Sequence, residues 1–153
     1  MIYRPYKPED FDALYALEEV CFRPPFRFGR KYMRSVVTRA DAATWIAEDE
    51  DGALAGFAIV RWASLKGSVG AYLETLEVSP DLRGQGTGGE LLRRCEESAR
   101  AAGADAMGLH VDAENEAAVA LYRAHGFELK GREEGYYPQG RAAEVYVKTL
   151  TEE

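Results

Sequence analysis

The chain has 153 residues, of which 46% are hydrophobic and 29% are charged, and it carries a formal net charge of −7. This composition is typical of one folded globular domain over residues 1–153 and excludes a disordered or fibrous protein. The negative charge argues against a nucleic-acid partner, because nonspecific affinity for phosphate backbones comes from excess lysine and arginine.

The first half of the chain predicts two helices set among antiparallel strands. Pro8 and two acidic residues open an amphipathic helix, and the two prolines within 22–29 require a loop before the next helix. Asp51-Gly52 is a strong hairpin signal between two strands, and 65–70 turns the chain into a further strand. The predicted elements are a strand at 2–5, helices at 8–21 and 30–38, and strands at 44–48, 54–63 and 71–78.

The second half predicts one parallel strand–helix–strand unit followed by a hairpin. Gly103 closes the first helix as a C-cap, and Asn115 caps the second, which Gly126 ends. The final hairpin turns at Pro138-Gln139-Gly140. The predicted elements are helices at 90–102 and 115–125 and strands at 107–111, 127–129 and 143–149. The order predicts an α+β fold in which only the unit spanning about 71–111 is parallel.

The stretch LRGQGTGGELL at 82–92 carries the clearest motif. Gly84, Gly86 and Gly89 satisfy G-x-G-x-x-G, the pattern of a dinucleotide-binding turn, and Asp112 nominally supplies the acidic residue that binds ribose. The context does not fit, because SPDLR separates the strand from the glycines and three antiparallel strands come first. The Gly-Lys-Ser/Thr of a P-loop is also missing.

The same stretch satisfies a second spacing, R-x-x-G-x-G, through Arg83, Gly86 and Gly88. We expect Gly84, Gly86 and Gly88 to let the backbone turn, so that its N–H groups point into one concavity at the N-terminus of the 90–102 helix. Such a concavity binds a pyrophosphate, and Arg83 adds a mobile cation at its rim.

Two blocks of sequence resemble the GNAT superfamily of N-acetyltransferases. VSPDLRGQGTGGELL at 78–92 is similar to the acetyl-CoA-binding signature, and LHVDAENEAAVALYRAHGF at 109–127 is similar to a block of enzymes that acetylate protein N-termini, including bacterial ribosomal-protein alanine acetyltransferases. The resemblance implies a single-domain GNAT fold with a twisted mixed β-sheet and helices on both faces. It also implies that strands 71–78 and 107–111 splay apart to admit the pantetheine arm of acetyl-CoA.

The resemblance assigns the cofactor contacts to the end of one strand, the glycine loop and the following helix. It places the amide of Asn115 beside the pantetheine and the phenol of Tyr122 near the sulfur as general acid. Asn115 also caps its helix, and both roles are compatible because Asn115 and Tyr122 lie on one helix face. The cofactor-binding residues implied are Leu76, Glu77, Val78, Arg83, Gly84, Gln85, Gly86, Thr87, Gly88, Asn115 and Tyr122.

Three further residues are candidates for proton transfer from the acceptor amine. His110 stands where the bacterial alanine acetyltransferases have a glutamate base and where some eukaryotic enzymes have histidine. Tyr72 precedes LETL much as a tyrosine precedes M-T-L in some N-terminal acetyltransferases, in which Tyr and His jointly position a water that relays the proton. Glu74, on the same strand face as Tyr72, is a reserve base. A core histidine is the competing interpretation of His110.

The acceptor side is expected at the loop FRPPFRF (22–28) and at the last hairpin. By resemblance, Phe26, Tyr136 and Tyr137 flank a peptide N-terminus, with aromatic rings around its first side chain and tyrosine hydroxyls on its backbone. Each could equally be an exposed aromatic turn. Arg23 and Arg27 depart from the family's apolar-Pro-Trp pattern and favour an acidic peptide.

The sequence therefore predicts an acetyl-CoA-dependent enzyme that acetylates the α-amine of a protein or peptide by direct attack, without a metal. The alternatives are a GNAT enzyme acting on lysine side chains or small amines, such as polyamines or antibiotics, and a non-catalytic acyl-CoA sensor. Cys21 and Cys95 lack C-x-x-C spacing, which indicates two separate thiols in a reducing compartment. Without a signal peptide or a long apolar run, we expect a cytoplasmic monomer or homodimer with no membrane partner.

Overall fold

The computed structural model describes residues 1–137 and 140–151. Short 3-10 turns at Pro8–Asp10 and Pro80–Leu82 precede the first helix and the glycine loop. The helices and strands are β1 (Ile2–Pro5), α1 (Phe11–Cys21), α2 (Arg30–Val37), β2 (Ala42–Glu48), β3 (Leu54–Leu65), β4 (Ser68–Val78), α3 (Thr87–Ala101), β5 (Ala104–Asp112), α4 (Glu116–Ala124), β6 (Glu128–Glu133) and β7 (Ala143–Thr149).

Within the described residues, seven strands form one sheet in the order β1-β2-β3-β4-β5-β7-β6. Every neighbouring pair is antiparallel except β4 and β5, which are joined through α3. The predicted α+β class and the single parallel unit are therefore confirmed. In the same part of the chain, no helix is both long and apolar enough to cross a bilayer.

The core lies on both faces of this sheet. One cluster packs beneath α3 and α4 and includes Leu91, Leu92 and Tyr122. The other packs beneath α1 and α2 and includes Leu14 and Met33. This arrangement confirms the prediction of helices on both faces.

The parallel strands β4 and β5 separate partway along their length. Their pairing runs from Val69↔Ala104 to Tyr72↔Gly108 and ends there, although both strands continue. Each strand stays paired on its outer side, β4 to β3 through Val78 and β5 to β7 through Asp112. The predicted splay is confirmed, and it opens a V-shaped gap with its apex near Tyr72.

A bulge in β4 lies just beyond that apex. The pairing with β3 passes from Val60↔Leu73 to Ile59↔Thr75, so Glu74 is the extra residue. After the bulge, the even-numbered side chains of β4 point to the face that the odd-numbered ones occupied before it. Leu73 before the bulge and Leu76 after it accordingly both pack on the α3 side. Tyr72 and Glu74 therefore share a face that Leu76 does not.

Two predicted strands were too short, because β5 begins at Ala104 and not at 107, and β6 ends at Glu133 and not at 129. Two other boundaries were wrong because glycine was interpreted only as a helix or strand breaker. The β3–β4 turn consists of Lys66 and Gly67 alone, with φ angles of 53° and 82°, the geometry of a two-residue hairpin turn. Helix α3 begins at Thr87, not at residue 90, so that Gly88 and Gly89 belong to its first turn. Of the predicted final turn, Pro138 and Gln139 lie outside the described residues.

Candidate active site

A cleft of about 630 Å³ lies at the open end of the V. Its walls come from the end of β4, the glycine loop, the start of α3, one face of α4 and the end of α1. The lining residues are Cys21, Phe22, Leu76, Glu77, Val78, Leu82, Arg83, Gly84, Gly86, Thr87, Gly88, Gly89, Asn115, Ala117, Ala118, Ala120, Leu121 and Tyr122. Most of the cofactor-binding residues predicted from the sequence therefore lie in one cleft; Gln85 is exposed beside it in the glycine loop.

The glycine loop presents the N-terminus of α3 to this cleft. Gly84 and Gly86 have φ angles of 80° and 84°, which favour glycine, and no side chain would meet a Cβ at either position. Gly86 is the N-cap residue of α3, and no side chain caps the helix. The N–H groups of the first turn therefore lack intrahelical partners and, together with the helix dipole, suit an anion.

Gly88 and Gly89 act differently from the two turn glycines. A Cβ at Gly88 would lie 3.4 Å from Leu121 and 3.5 Å from Leu76, and a Cβ at Gly89 would lie 2.9 Å from Nε2 of His125. These two glycines therefore let α3 approach α4 closely. The prediction that Gly88 lets the loop backbone turn, as Gly84 and Gly86 do, is wrong, because Gly88 lies in the first turn of α3.

Arg83 lies against the end of β4, whereas the sequence predicted a mobile cation at the rim of the loop. Its Nε donates to the carbonyl oxygen of Val78 at 3.1 Å, and Nη2 lies 3.6 Å from the sulfur of Cys21. Burial raises the pKa of the Cys21 thiol to about 11, so this thiol is neutral at physiological pH. The guanidinium is thereby held at the cleft wall.

Asn115 and Tyr122 face the cleft from α4. The Asn115 side-chain oxygen accepts a hydrogen bond from the Ala118 N–H at 3.1 Å, so the predicted cap is confirmed. Tyr122 is 7% exposed, and burial raises the pKa of its phenol. The hydroxyl therefore stays protonated at neutral pH and can act as a donor.

A buried pair of acids lies beneath the cleft. Glu77 of β4 is 3% exposed, and burial together with the nearby Glu18 carboxyl raises the pKa of Glu77 well above its ordinary value. Thr75 donates to Glu77 Oε2 at 2.8 Å, and Glu18 Oε2 accepts the N–H of Phe28 at 3.0 Å. The pair connects the cleft to the loop between α1 and α2. The pairing of Glu18 with Glu77 was not predicted, although Glu18 stands on the apolar face of α1 beside Leu14.

A hydrogen-bonded chain of three side chains lies near the apex of the V. Tyr72 Oη is 2.9 Å from His110 Nδ1, and His110 Nε2 is 3.2 Å from Glu133 Oε1. The ring of Tyr136 stacks on His110 with centroids 4.4 Å apart. Burial raises the pKa of Tyr72, and Tyr136 adds to the shift, so the Tyr72 phenol stays protonated. The structure thus brings the predicted Tyr72 and His110 together and adds Glu133, which no sequence pattern indicated.

Glu74 is occupied by other partners on the same face. Its Oε2 accepts from Arg61 Nε at 2.8 Å, and its Oε1 accepts from the hydroxyl of Tyr32. Arg61 also lies over the Tyr72 ring, 4.9 Å from its centroid. Because both carboxylate oxygens are engaged, the contacts favour a supporting role for Glu74 over that of a base.

The aromatic residues expected around the acceptor also meet. Phe26 of the α1–α2 loop and Tyr137 have ring centroids 5.9 Å apart, and Tyr136 contacts Tyr137 edge to face at 4.9 Å. Burial raises the pKa of Tyr137 to about 12. Arg27 donates to the carbonyl oxygens of Phe22 and Glu19, so it holds its own loop in place.

Comparisons with known proteins point to acetyl transfer. The profile of the acetyltransferase (GNAT) family matches residues 11–127. Streptothricin acetyltransferase from Streptomyces lavendulae is 38% identical over 105 residues, covering 69% of this chain and 54% of that protein. A Bacillus subtilis protein provisionally named ribosomal protein bS18-alanine N-acetyltransferase is 27% identical over 145 residues, covering 94% of this chain and 92% of that protein.

Solved structures share the same fold. Arabidopsis thaliana NAA60 in complex with acetyl-CoA superposes with a TM-score of 0.85 at 21% identity, covering 97% of both chains. The chain spans about half the length of several curated relatives that it matches, between 45% and 54%.

Proposed function

This chain belongs to the acetyltransferase (GNAT) family, and we propose that it is an acetyl-CoA-dependent enzyme that acetylates the α-amine of a protein or peptide N-terminus. The observation that carries the proposal is the hydrogen bond between Tyr72 Oη and His110 Nδ1, at 2.9 Å, where the parallel strands part. The near full-length similarity to the B. subtilis protein supports the choice of acceptor.

The cleft fits acetyl-CoA in both shape and charge. The N-terminus of α3, with Gly84 and Gly86 before it, would hold the pyrophosphate. The backbone of Leu76–Val78 and the side chain of Asn115 line the path that leads to the apex, where they would hold the pantetheine. When bound, acetyl-CoA supplies an activated acetyl group as a thioester.

His110 and Tyr72 would receive the proton of the acceptor amine. An α-amine with a pKa near 8 costs only about 1.4 kcal/mol to deprotonate at pH 7, whereas a lysine with a pKa near 10.4 costs about 4.6 kcal/mol. The smaller of these two costs is the one within reach of a histidine base. The Tyr72 hydroxyl can pass a proton to His110 Nδ1 while its oxygen accepts one from the amine or from a bridging water.

Tyr122 would supply a proton to the leaving sulfur. It lines the same cleft, and its raised pKa keeps the hydroxyl protonated until the thiolate forms. The base and the acid thus come from β5 and α4 respectively.

A second candidate is acetylation of a small amine or a lysine side chain, which the similarity to streptothricin acetyltransferase favours. An assay of thiol release from acetyl-CoA separates the two. We expect turnover with short peptides that have free α-amines and varied first residues. Matched peptides with blocked N-termini and a free lysine should be inactive, as should spermidine and streptothricin. Turnover confined to the small amines or to lysine would contradict the proposal.

A further inference from the structure

We propose that Glu133 fixes the tautomer of His110 and thereby aims the lone pairs of the Tyr72 hydroxyl at the acceptor amine. Glu133 is a positioning residue, since it acts through His110. The inference rests on the proposed function for its catalytic consequence, whereas the tautomer itself is a property of the resting protein.

The donors and acceptors of the chain determine the direction of each hydrogen bond. A carboxylate only accepts, so Glu133 Oε1, 3.2 Å from His110 Nε2, requires the proton of the neutral imidazole to be on Nε2. His110 Nδ1 then carries the lone pair, and the Tyr72 hydroxyl, 2.9 Å away, must donate to it. His110 then occupies neither lone pair of the Tyr72 oxygen, so at least one remains for an N–H of the acceptor or for a water, beside the neighbouring Tyr136 side chain.

The opposite tautomer would disable the relay. With the proton on Nδ1, His110 would donate to the Tyr72 oxygen and occupy one of its lone pairs. No nitrogen lone pair would then face Tyr72 to receive its proton. Without Glu133, neither tautomer is selected by a charged partner at Nε2.

The surrounding strands hold the three groups in register. Glu133 ends β6 opposite Ala143 of β7, and His110 of β5 pairs with Val145 of the same β7. The Tyr136 ring stacks on the imidazole with an interplanar angle of 9°, which limits rotation of the ring. The neighbouring Glu134 pairs instead with Arg132, so the two adjacent carboxylates have different partners.

The reaction balances through these groups. The amine nitrogen forms a bond to the acetyl carbon as the bond from that carbon to sulfur breaks. One proton of the acceptor ammonium passes to the Tyr72 oxygen while the Tyr72 proton passes to His110 Nδ1. A second proton leaves the nitrogen for solvent once the new bond has formed, and Tyr122 gives its proton to the sulfur. His110 then returns its proton to solvent and Tyr122 takes one from solvent, so that an amide and a thiol are the net products.

The first test reads the tautomer directly, by ¹⁵N NMR of the imidazole rings in protein labelled at histidine, with His125 as the internal reference. In the wild type we expect His110 to be protonated on Nε2. In Glu133→Ala we expect a mixture of both tautomers, and in Glu134→Gln we expect the wild-type spectrum. A wild-type His110 spectrum in Glu133→Ala would overturn the inference, whether or not any peptide is a substrate.

The second test measures kcat and KM with the most active peptide of the panel described above. We expect Glu133→Ala to lower kcat about 10- to 100-fold, a part of the 10²–10⁴ that general base catalysis contributes, with little change in the KM for peptide. Glu133→Asp should recover part of the loss, and Glu134→Gln should behave as wild type. An unchanged kcat in Glu133→Ala would overturn the catalytic role. Absence of peptide turnover in the wild type would contradict the proposed function and leave the NMR result to decide the tautomer.

Discussion

At the scale of single residues, burial assigns the protonation states on which the chemistry depends. The pKa values of Tyr72, Tyr122 and Tyr137 are all raised, and in each case burial is the largest cause. All three phenols therefore remain protonated donors at neutral pH. In the proposed reaction the amine's proton is therefore held by His110, which contacts Tyr72 directly.

The Tyr122→Phe substitution tests the proposed acid. Removing the hydroxyl leaves the ring and its edge-on contact with Phe127 in place, so the fold of α4 should be retained. We expect kcat to fall about 100-fold while the Kd of acetyl-CoA, measured by calorimetry, stays within about twofold. If both constants worsened equally, Tyr122 would be a packing residue.

At the scale of elements, one arrangement of backbone creates the cleft proposed to bind acetyl-CoA. The parting of β4 and β5 makes room, and α3 begins at the mouth of that gap with its first-turn N–H groups uncapped by any side chain. The negative net charge of the chain is compatible with an anionic ligand, because the attraction comes from local dipoles. The geometry of the glycine loop should therefore control affinity for the cofactor.

The Gly86→Ala substitution tests this geometry. A side chain at a φ angle of 84° costs about 1–2 kcal/mol, and relief of that strain should turn the N–H groups away from the cleft. Gly67→Ala is a matched control, because Gly67 has a φ angle of 82° and equally open surroundings, but lies in the β3–β4 turn. We expect both variants to lose similar stability and only Gly86→Ala to weaken acetyl-CoA binding, by about tenfold or more in calorimetry. If Gly86→Ala and Gly67→Ala bound acetyl-CoA with equal affinity, the pyrophosphate would have to bind elsewhere.

At the scale of the whole molecule, the buried pair Glu18 and Glu77 connects the cleft to the loop between α1 and α2. Glu77 lies in the wall of the cleft, and Glu18 accepts the N–H of Phe28 in the loop expected to flank the acceptor. Burial beside a second carboxyl disfavours the ionised form of Glu77. This contact therefore makes the stability of the fold depend on pH.

The sign of that dependence follows from the raised pKa of Glu77. The Glu77 carboxyl has its ordinary pKa, near 4.5, in the unfolded chain, and the folded protein keeps this proton to higher pH. The free energy of unfolding therefore falls as pH rises above 4.5 towards the raised pKa. In Glu77→Gln this titration is absent. We expect urea denaturation to show the wild type losing up to about 1.4 kcal/mol per pH unit relative to the variant in that window.

The control for the pH series is Glu50→Gln, which removes an exposed carboxylate in the β2–β3 loop. The free energy of unfolding of Glu50→Gln should change with pH in the same way as that of the wild type. A constant difference between wild type and Glu77→Gln across the series would show that Glu77 does not titrate in the folded protein.

The sequence by itself determined the order of the elements and the parallel unit, and it predicted a pyrophosphate as the ligand of the glycine loop. These depend on local properties: the periodicity of apolar residues, the φ angles that only glycine adopts readily, and a motif contained in residues 78–92. Tyr72 and His110 were identified as partners only through family resemblance, since they are far apart along the chain.

Only the tertiary structure decided which side chains share a proton or a charge. Glu133 reaches His110 across β7, which lies between β6 and β5 in the sheet. Glu74 pairs with Arg61 across the β3–β4 pair, and Glu18 of α1 meets Glu77 of β4. No periodicity or spacing encodes these contacts. They arise from the packing of distant strands and helices, and packing also sets the burial that shifts each pKa.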